Sequence, residues 1–316
     1  MKIGVVGPGA MGCLLAGKIA VAGNEVLLLD NMPDRVEILN RQGLIIEGLQ
    51  GIVQVKVPVT LNPENLLQTE VILICVKAYD TQTVAETLKG FGPGPYILTL
   101  QNGVGNVETL GKYLPKEKIL AGITSHGATD LGPGRVRHAG QGDTFIGYGF
   151  PRGDNDPAKD PQLNKVKKLL TEAGFPSQMV TKINNLIWSK LLINIGINAL
   201  TALTRLPNGK LIDFPGTNKI LEEAVQEGIR IGEKKGIEFI YPDPLSQVKK
   251  VCQLTSSNIS SMLQDVLNKK RTEIDYINGV ILDEGKSYGI PVPVNSLLTR
   301  LIKTIEASYG QMVDGR

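Results

Sequence analysis

Lys2-Ile3-Gly4-Val5-Val6 reads as a short buried strand, and Gly7-Pro8-Gly9-Ala10-Met11-Gly12 turns it directly into a helix over Cys13 to Ala22. Gly23-Asn24 then leads into a second strand, Glu25 to Leu29, closed by Asp30. Gly7 permits the sharp exit from the first strand, Gly9 leaves the backbone bare, and Gly12 lets the helix pack close to the sheet. A helix opened in this way aims unpaired N–H groups and a partial positive charge at whatever lies before it, so a phosphate can be held with no lysine in the loop. The strand–turn–helix setting points to a dinucleotide grip, the alternative being a glycine turn kept for packing alone.

A length of 316 residues suits two domains, and a hydrophobic content of 42% is ample for two cores. The 34 basic and 31 acidic residues leave a formal charge of +3 with no basic block, which argues against a nucleic-acid or membrane surface. The first residues imitate a secretory signal, but Gly7, Pro8, Gly9 and Lys18 interrupt the apolar stretch and cleavage would remove the glycine turn. No run approaches the roughly 18 uncharged apolar residues of a spanning helix, so a soluble chain is expected. Cys13, Cys75 and Cys252 are odd in number, far apart and without C-x-x-C or histidine-rich company. They fit a reducing cytoplasm and core packing, with no metal site expected.

The first half alternates strands with helices. Strands are expected at Ile3–Val6, Glu25–Leu29, Val53–Pro58, Val71–Val76, Tyr96–Leu100, Ile119–Ile123 and Thr144–Gly147. Short, wholly apolar runs of this kind predict an α/β fold: a Rossmann-type, doubly wound, mainly parallel sheet covered on both faces. Ligands then bind at the carboxyl ends of the strands. Three of those ends are polar: Lys77, the segment Gln101-Asn102-Gly103-Val104-Gly105, and Ser125-His126-Gly127-Ala128. Gly149 to Pro161 reads as a surface loop, followed by a helix over Gln162–Ala173 and an extended piece near Gln178–Val180. After Thr181 long helical patterns replace alternation, which sets a dinucleotide-binding domain at 1–181 and an all-α, substrate-binding domain at 182–316.

Within the helical half, Ile187 to Leu203 is apolar except for Ser189, Lys190, Asn194, Asn198 and Thr201. Lys190, Asn194 and Asn198 recur at i, i+4 and i+8 and therefore share one side of a helix. So apolar a helix is buried nearly all round, and burying a lysine with two amides is costly without partners, of which a ligand is one. The bland alternative has Lys190 reaching solvent while the asparagines satisfy nearby backbone. If the dinucleotide is a nicotinamide reducing a ketone, a buried ammonium can polarise the carbonyl and then protonate the alkoxide, with its pKa lowered toward working pH. His126 is the competing donor by residue type, but with His138 as the only other histidine no Asp–His arrangement is visible. Lys77, at a strand end of the first domain, is better placed for ribose, phosphate or nicotinamide.

A further helix is expected over about Ser256–Ser287, carrying Ser260-Ser261-Met262-Leu263-Gln264-Asp265 and Thr272-Glu273-Ile274-Asp275. If it is continuous, Ser261 and Glu273 lie roughly 18 Å apart along its axis and serve different ligands. Ordinary capping and surface pairing remain open for Asp265, Arg271 and Asp275.

With these pieces in view the chain resembles the ketopantoate reductases (2-dehydropantoate 2-reductases) nearly end to end. The resemblance rests on Gly7 to Gly12, Val76-Lys77-Ala78, Gln101 to Gly105, Trp188-Ser189-Lys190 with Asn194 and Asn198, and Pro207-Asn208-Gly209. It continues through Ser260 to Asp265, Thr272 to Gly279 and Gly289-Ile290-Pro291. It implies reduction of 2-dehydropantoate to pantoate by NADPH, toward pantothenate and coenzyme A. By position it implies Lys190 as proton donor and Asn194, Asn198, Asn208 and Ser261 as substrate contacts. Gly7, Pro8, Gly9, Ala10, Met11, Gly12, Lys77, Asn102, Ala128 and Glu273 fall on the cofactor side, with Asn102 near the substrate as well.

Asp30 departs from an NADPH pattern, because a carboxylate at that strand end accepts from the adenosine ribose and repels a 2′-phosphate. Arg35 is the residue that would reach such a phosphate. NADP(H) is thus the family expectation, and good use of NAD(H) is the expectation from Asp30. Two alternatives stay open: a reductase of another branched 2-keto or hydroxy acid, and a dinucleotide-binding sensor without catalysis. The mostly helical second half is compatible with a homodimer.

Overall fold

The glycine turn joins β1 (Lys2–Val6) to α1 (Ala10–Val21), followed by β2 (Glu25–Leu29) and α2 (Pro33–Gln42). In this computed structural model, residues 1–48, 51–92, 94–153 and 156–311 are described. The chain then runs through β3 (Leu44–Gly48), β4 (Gly51–Val55), β5 (Val59–Thr60), β6 (Val71–Ile74), α3 (Thr81–Leu88), β7 (Tyr96–Thr99) and α4 (Asn106–Leu110). Next come β8 (Ile119–Thr124), β9 (Gly127–Asp130), β10 (Arg135–Gly140), β11 (Thr144–Tyr148), α5 (Pro161–Glu172) and β12 (Ser177–Met179). Asp154 and Asn155, inside the expected Gly149–Pro161 loop, lie outside the described residues.

Eight strands form the main sheet in the order β12-β11-β8-β7-β6-β1-β2-β5. Every neighbouring pair is parallel except β8 with β11. The central strands β1 and β6 are apolar and buried because helices cover both faces, which is why they read as unbroken Val/Ile/Leu runs.

A second sheet, in the order β4-β3-β10-β9, was not expected. The strand anticipated at Val53–Pro58 is β4, which ends at Val55 and runs antiparallel to β3 in the small sheet; β5, at the edge of the large sheet, begins only at Val59. The small sheet supplies the far side of α1. Gly12 to Gly17 and Ile19 are buried in that helix, and a Cβ on Gly17 would stand 2.6 Å from Ile46 of β3. Ser125 and His126 follow the carboxyl end of β8 as anticipated and lead into the small sheet, whereas Gly127 and Ala128 are not loop residues but open β9.

Two compact units are distinguished, one comprising Met1–Gln101 and Gly105–Ile183, the other Asn102–Val104 and Asn184–Arg316. The second is helical: α6 (Ile183–Thr204), α7 (Pro215–Lys234), α8 (Pro244–Leu254), α9 (Ser261–Leu267), α10 (Asn278–Tyr288) and α11 (Pro293–Ala307). Its core gathers Trp188, Leu191, Leu192 and Ile195 of α6 with Leu221, Val225, Val248, Ile281, Leu298 and Ile302. By length and composition α6 would be able to cross a membrane even with Lys190 inside it; most of it is buried inside its own unit.

The continuous helix expected over Ser256–Ser287 is broken. Between α9 and α10 the chain leaves helical geometry at Lys269 (φ +53°) and makes a short 3-10 turn at Ile274–Tyr276. Asn268-Lys269-Lys270-Arg271 offers no apolar side chain to keep a helix on the core, so the stripe ends there. The 18 Å separation argued for Ser261 and Glu273 therefore does not apply.

Candidate active site

In the first unit the glycine turn has the shape that its spacing demands. Gly7 sits at φ +94°, and a Cβ there would lie 2.8 Å from the backbone nitrogen of Val76. A Cβ on Gly12 would come within 2.0 Å of the Gly7 carbonyl oxygen, so the turn closes only with glycine at both places. Gly9 is different: nothing lies within 4 Å of its absent Cβ, and its backbone faces open space. Gly9 is also the N-cap of α1, with no side-chain cap and no acid in the first turn. Pro8 is buried, Ala10 and Met11 are half-buried, and the free N–H groups of this helix end are left for an anion. A pyrophosphate fits here on the molecule's own terms.

Asp30 follows β2 and is almost fully buried, its side chain 1% exposed. Oδ1 accepts the backbone N–H of Asn31 at 2.7 Å and of Met32 at 3.3 Å. Arg35 donates to both carboxylate oxygens. Lys77 precedes a 3-10 turn, Ala78–Asp80, after β6, and Ala128 lies half-buried in β9.

Around the ends of β6 and β7 a side-chain network appears that the spacing did not foretell. Gln101 Nε2 donates to the Val76 carbonyl and to Thr81 Oγ1, both at 2.9 Å, and Thr81 Oγ1 donates to Asn106 Oδ1 at 2.9 Å. Thr99 Oγ1 donates to Gln101 Oε1 at 2.9 Å. These bonds fix the loops bearing Lys77 and Asn102. The one sequence signal was Gln101, inside a motif already singled out.

His126 does not belong to this constellation. Its Nδ1 lies 2.9 Å from His138 Nε2, both rings are buried, and Phe175 tilts against His126. Burial lowers both pKa values, with each other's proximity and the Lys18 ammonium adding to it for His126, and Lys18 for His138.

The second unit holds Lys190, Asn194 and Asn198 on α6 at the expected spacing. Asn198 is 5% exposed, while Lys190 and Asn194 are half-buried. Burial brings the Lys190 ammonium down from 10.5 to about 8, and the Glu273 carboxylate pulls in the opposite direction. Glu273 is itself buried, on the turn ahead of α10. Asn102 belongs to this unit: in the same loop Val104 donates its N–H to the Tyr276 carbonyl at 3.1 Å, and a Cβ on Gly103 would lie 2.5 Å from that oxygen.

Asn208 is buried and donates through Nδ2 to Thr255 Oγ1 at 2.9 Å. Its Oδ1 is buried without a hydrogen-bond partner, a costly state that a ligand hydroxyl would relieve. Ser261 is the first residue of α9, next to the N-cap Ser260, which accepts from Leu263 N–H and bonds Thr201 Oγ1 at 2.7 Å. Lys190, Asn194, Asn198, Asn102, Asn208, Ser261 and Glu273 thus share one unit, and Gly7 to Gly12, Asp30, Lys77 and Ala128 share the other. Among the described residues no cluster of three or more His, Cys, Asp or Glu is arranged to hold a metal ion.

The chain is 34% identical over 304 residues to a 2-dehydropantoate 2-reductase of Halobacterium salinarum, covering 96% of this chain and 98% of that protein. The crystal structure of a PanE/ApbA family ketopantoate reductase from Ralstonia eutropha superposes with a TM-score of 0.87 at 31% identity, over 98% of this chain and 100% of that one. A ternary complex of D-mandelate dehydrogenase with NADH and anilino(oxo)acetate gives 0.90 at 28% identity, over 98% and 100%. Residues 3–149 match the ketopantoate reductase PanE/ApbA family and residues 182–306 its C-terminal domain, so the chain belongs to the ketopantoate reductase family.

Proposed function

We propose that this chain reduces 2-dehydropantoate to (R)-pantoate with NAD(P)H, a step toward pantothenate and coenzyme A, and that Lys190 is its proton donor. Family membership supports the substrate. The observation that carries the chemistry is a half-buried lysine on the same helix side as two amides, its pKa lowered by burial to about 8 and opposed by a buried carboxylate. When bound, the dihydronicotinamide supplies the hydride. Gly7 to Gly12 and the open N-terminus of α1 would hold the pyrophosphate, and Lys77, Ala128, Asn102 and Glu273 would supply contacts to other parts of the dinucleotide.

Lys190 polarises the keto oxygen, stabilises charge as it develops there, and delivers its proton to that oxygen. Asn194, Asn198, Asn208 and Ser261 orient the acid through neutral hydrogen bonds, adding no charge that would move the lysine. Asn208 Oδ1, buried and unpartnered, is suited to accept from a substrate hydroxyl. The same reading puts the enzyme in the cytoplasm, in keeping with three free cysteines.

A second reading concerns breadth. The Asp30–Arg35 pair favours NADH, and D-mandelate dehydrogenase bound to NADH has a very similar fold, so another 2-keto acid is the competing substrate. Purified protein offered 2-dehydropantoate and a panel of branched and aromatic 2-keto acids, with each nicotinamide, decides. The highest kcat/KM falls on 2-dehydropantoate if the proposal is right; preference for an aromatic keto acid overturns the substrate, and absence of any turnover leaves a sensor.

A further inference from the structure

Behind the Lys190 helix runs a buried polar chain that the reaction as described does not use. Glu227 of α7, 3% exposed, accepts the backbone N–H groups of Val294 and Asn295 at 2.9 Å, where α11 begins. It also accepts from Asn295 Nδ2 at 2.8 Å, and the same nitrogen donates to the Ala224 carbonyl at 3.0 Å. Asn295 Oδ1 in turn accepts from Asn278 Nδ2 at 2.9 Å. That nitrogen reaches the carbonyl oxygen of Ile195, in the middle of α6, at 3.4 Å. Asn278 and Asn295 are both fully buried. The chain therefore ties α7, α11 and α10 to the helix that bears Lys190.

Asn278 opens α10 directly after the turn that carries Glu273. Other bonds attach this turn to α11: Thr272 N–H donates to Glu306 at 2.6 Å, and Lys303 pairs with Asp275 at 2.6 Å. Asn278 attaches it to α6. Its Oδ1, meanwhile, is buried with no partner, so the residue is a poor choice for stability alone; an aliphatic side chain would spare that loss. Buried polar groups of this kind fix one arrangement of a core against others.

We propose that Asn278 is a positioning residue: its carboxamide holds the Glu273 turn against α6 and so sets the separation of the Glu273 carboxylate from the Lys190 ammonium. This deepens the proton-donor reading and rests on it for its functional meaning, while the geometry itself is testable without turnover. With Asn278 truncated, the turn keeps its bonds to α11 but loses its bond to α6, and the carboxylate drifts from the amine. The burial of Lys190 is set by α6 and its neighbours and persists.

The test is a ligand-free titration of the Lys190 amine by nitrogen-15 NMR in wild type, Asn278→Ala and Asn278→Ser, with Leu298→Ala as a core-truncation control. Lys190→Ala assigns the resonance. Asn278→Ala lowers the Lys190 midpoint by about half a pH unit or more through loss of a nearby opposite charge, Asn278→Ser restores part of it, and Leu298→Ala lowers Tm without moving it. A midpoint in Asn278→Ala that stays put or rises overturns the inference, and if that variant does not fold, Asn278→Ser is judged by the same criterion. In steady state Asn278→Ala loses roughly tenfold in kcat with KM for the nicotinamide nearly unchanged. A shifted midpoint that the pH limb of kcat does not follow upholds the positioning and removes the proton-donor role, so the two failures are told apart.

Discussion

Asp30 and Arg35 meet in a two-point ion pair, guanidinium Nε to Oδ2 and Nη2 to Oδ1, each at 2.5 Å. The carboxylate is sealed from solvent and the guanidinium is 30% exposed, so the arginine is held by its neighbour rather than extended toward solvent. A 2′-phosphate would meet a fixed carboxylate at the end of β2. Kinetics with both nicotinamides should give NADH a kcat/KM at least equal to that of NADPH. Asp30→Ala, which frees Arg35, moves the ratio toward NADPH by about tenfold or more, equivalent to about 1.4 kcal/mol. A strong NADPH preference in the wild type would refute this.

With Lys190 as the proposed proton donor, its ammonium form is the one that reduces, and kcat in that direction is expected to fall as pH rises through about 8, while oxidation of the alcohol rises over the same range. Lys190→Ala costs about 10² to 10⁴ in kcat and abolishes that limb. Stability runs the other way. Because burial lowers the folded-state pKa from 10.5 to about 8, the unfolded chain binds more protons between those values and stability increases with pH across them. Below 8 the burial cost is present in full, so Lys190→Met, though inactive, melts a few degrees higher than wild type at pH 7. An inactive variant that melts lower would contradict the account.

The three glycines of the turn separate folding from binding. Gly12→Ala drives a methyl into the Gly7 carbonyl and should abolish cooperative melting of the first unit. Gly9→Ala meets nothing within the protein, so its Tm stays within a few degrees of wild type. Its affinity for NADH, read by fluorescence titration, drops by roughly tenfold or more, because the methyl occupies the approach of the pyrophosphate. Unaltered NADH affinity in Gly9→Ala would place the dinucleotide elsewhere.

The His126–His138 pair makes the first unit sensitive to acid. Both pKa values are lowered, first by burial, then for His126 by His138 and Lys18 and for His138 by Lys18; backbone hydrogen bonding at Gly142 and then Asp143 partly oppose this at His126, as does backbone hydrogen bonding at Gly140 for His138. Unfolded histidines take up protons near 6.5 and the folded ones resist, so stability is intact above about 6.5 and is lost as pH falls below it. Thermal melts from pH 8 to 5 should show Tm declining over the acid half. His138→Gln, which keeps a donor and cannot titrate, flattens the decline; a wild-type slope in that variant would exclude the pair as its cause.

Legibility followed the range of the interactions. The glycine turn, the buried strands β1, β2, β6 and β7, and the polar stripe of α6 are local patterns, and burial on both faces or on most sides writes them plainly. The small sheet was missed because its strands are short and half exposed: Arg135 to Gly140 alternates charged and buried positions, and Gly51 to Val55 is almost wholly exposed. The break after α9 turns on one left-handed lysine among polar residues, which periodicity alone does not see. Gln101 and Thr81 are 20 residues apart, and Asn278 and Ile195 are 83 apart. Such pairings exist only once the chain has folded, so the residues that orient the site left fainter marks than the residues that line it.

The burial of α6 has a cost during synthesis. Its apolar sides are covered by α7, α8, α10 and α11, all of which leave the ribosome after it. Until they arrive, a greasy segment of 22 residues stands bare although the strands of the first unit are already complete. That interval, rather than the finished enzyme, is where a nascent chain of this design depends on chaperones and is most exposed to aggregation.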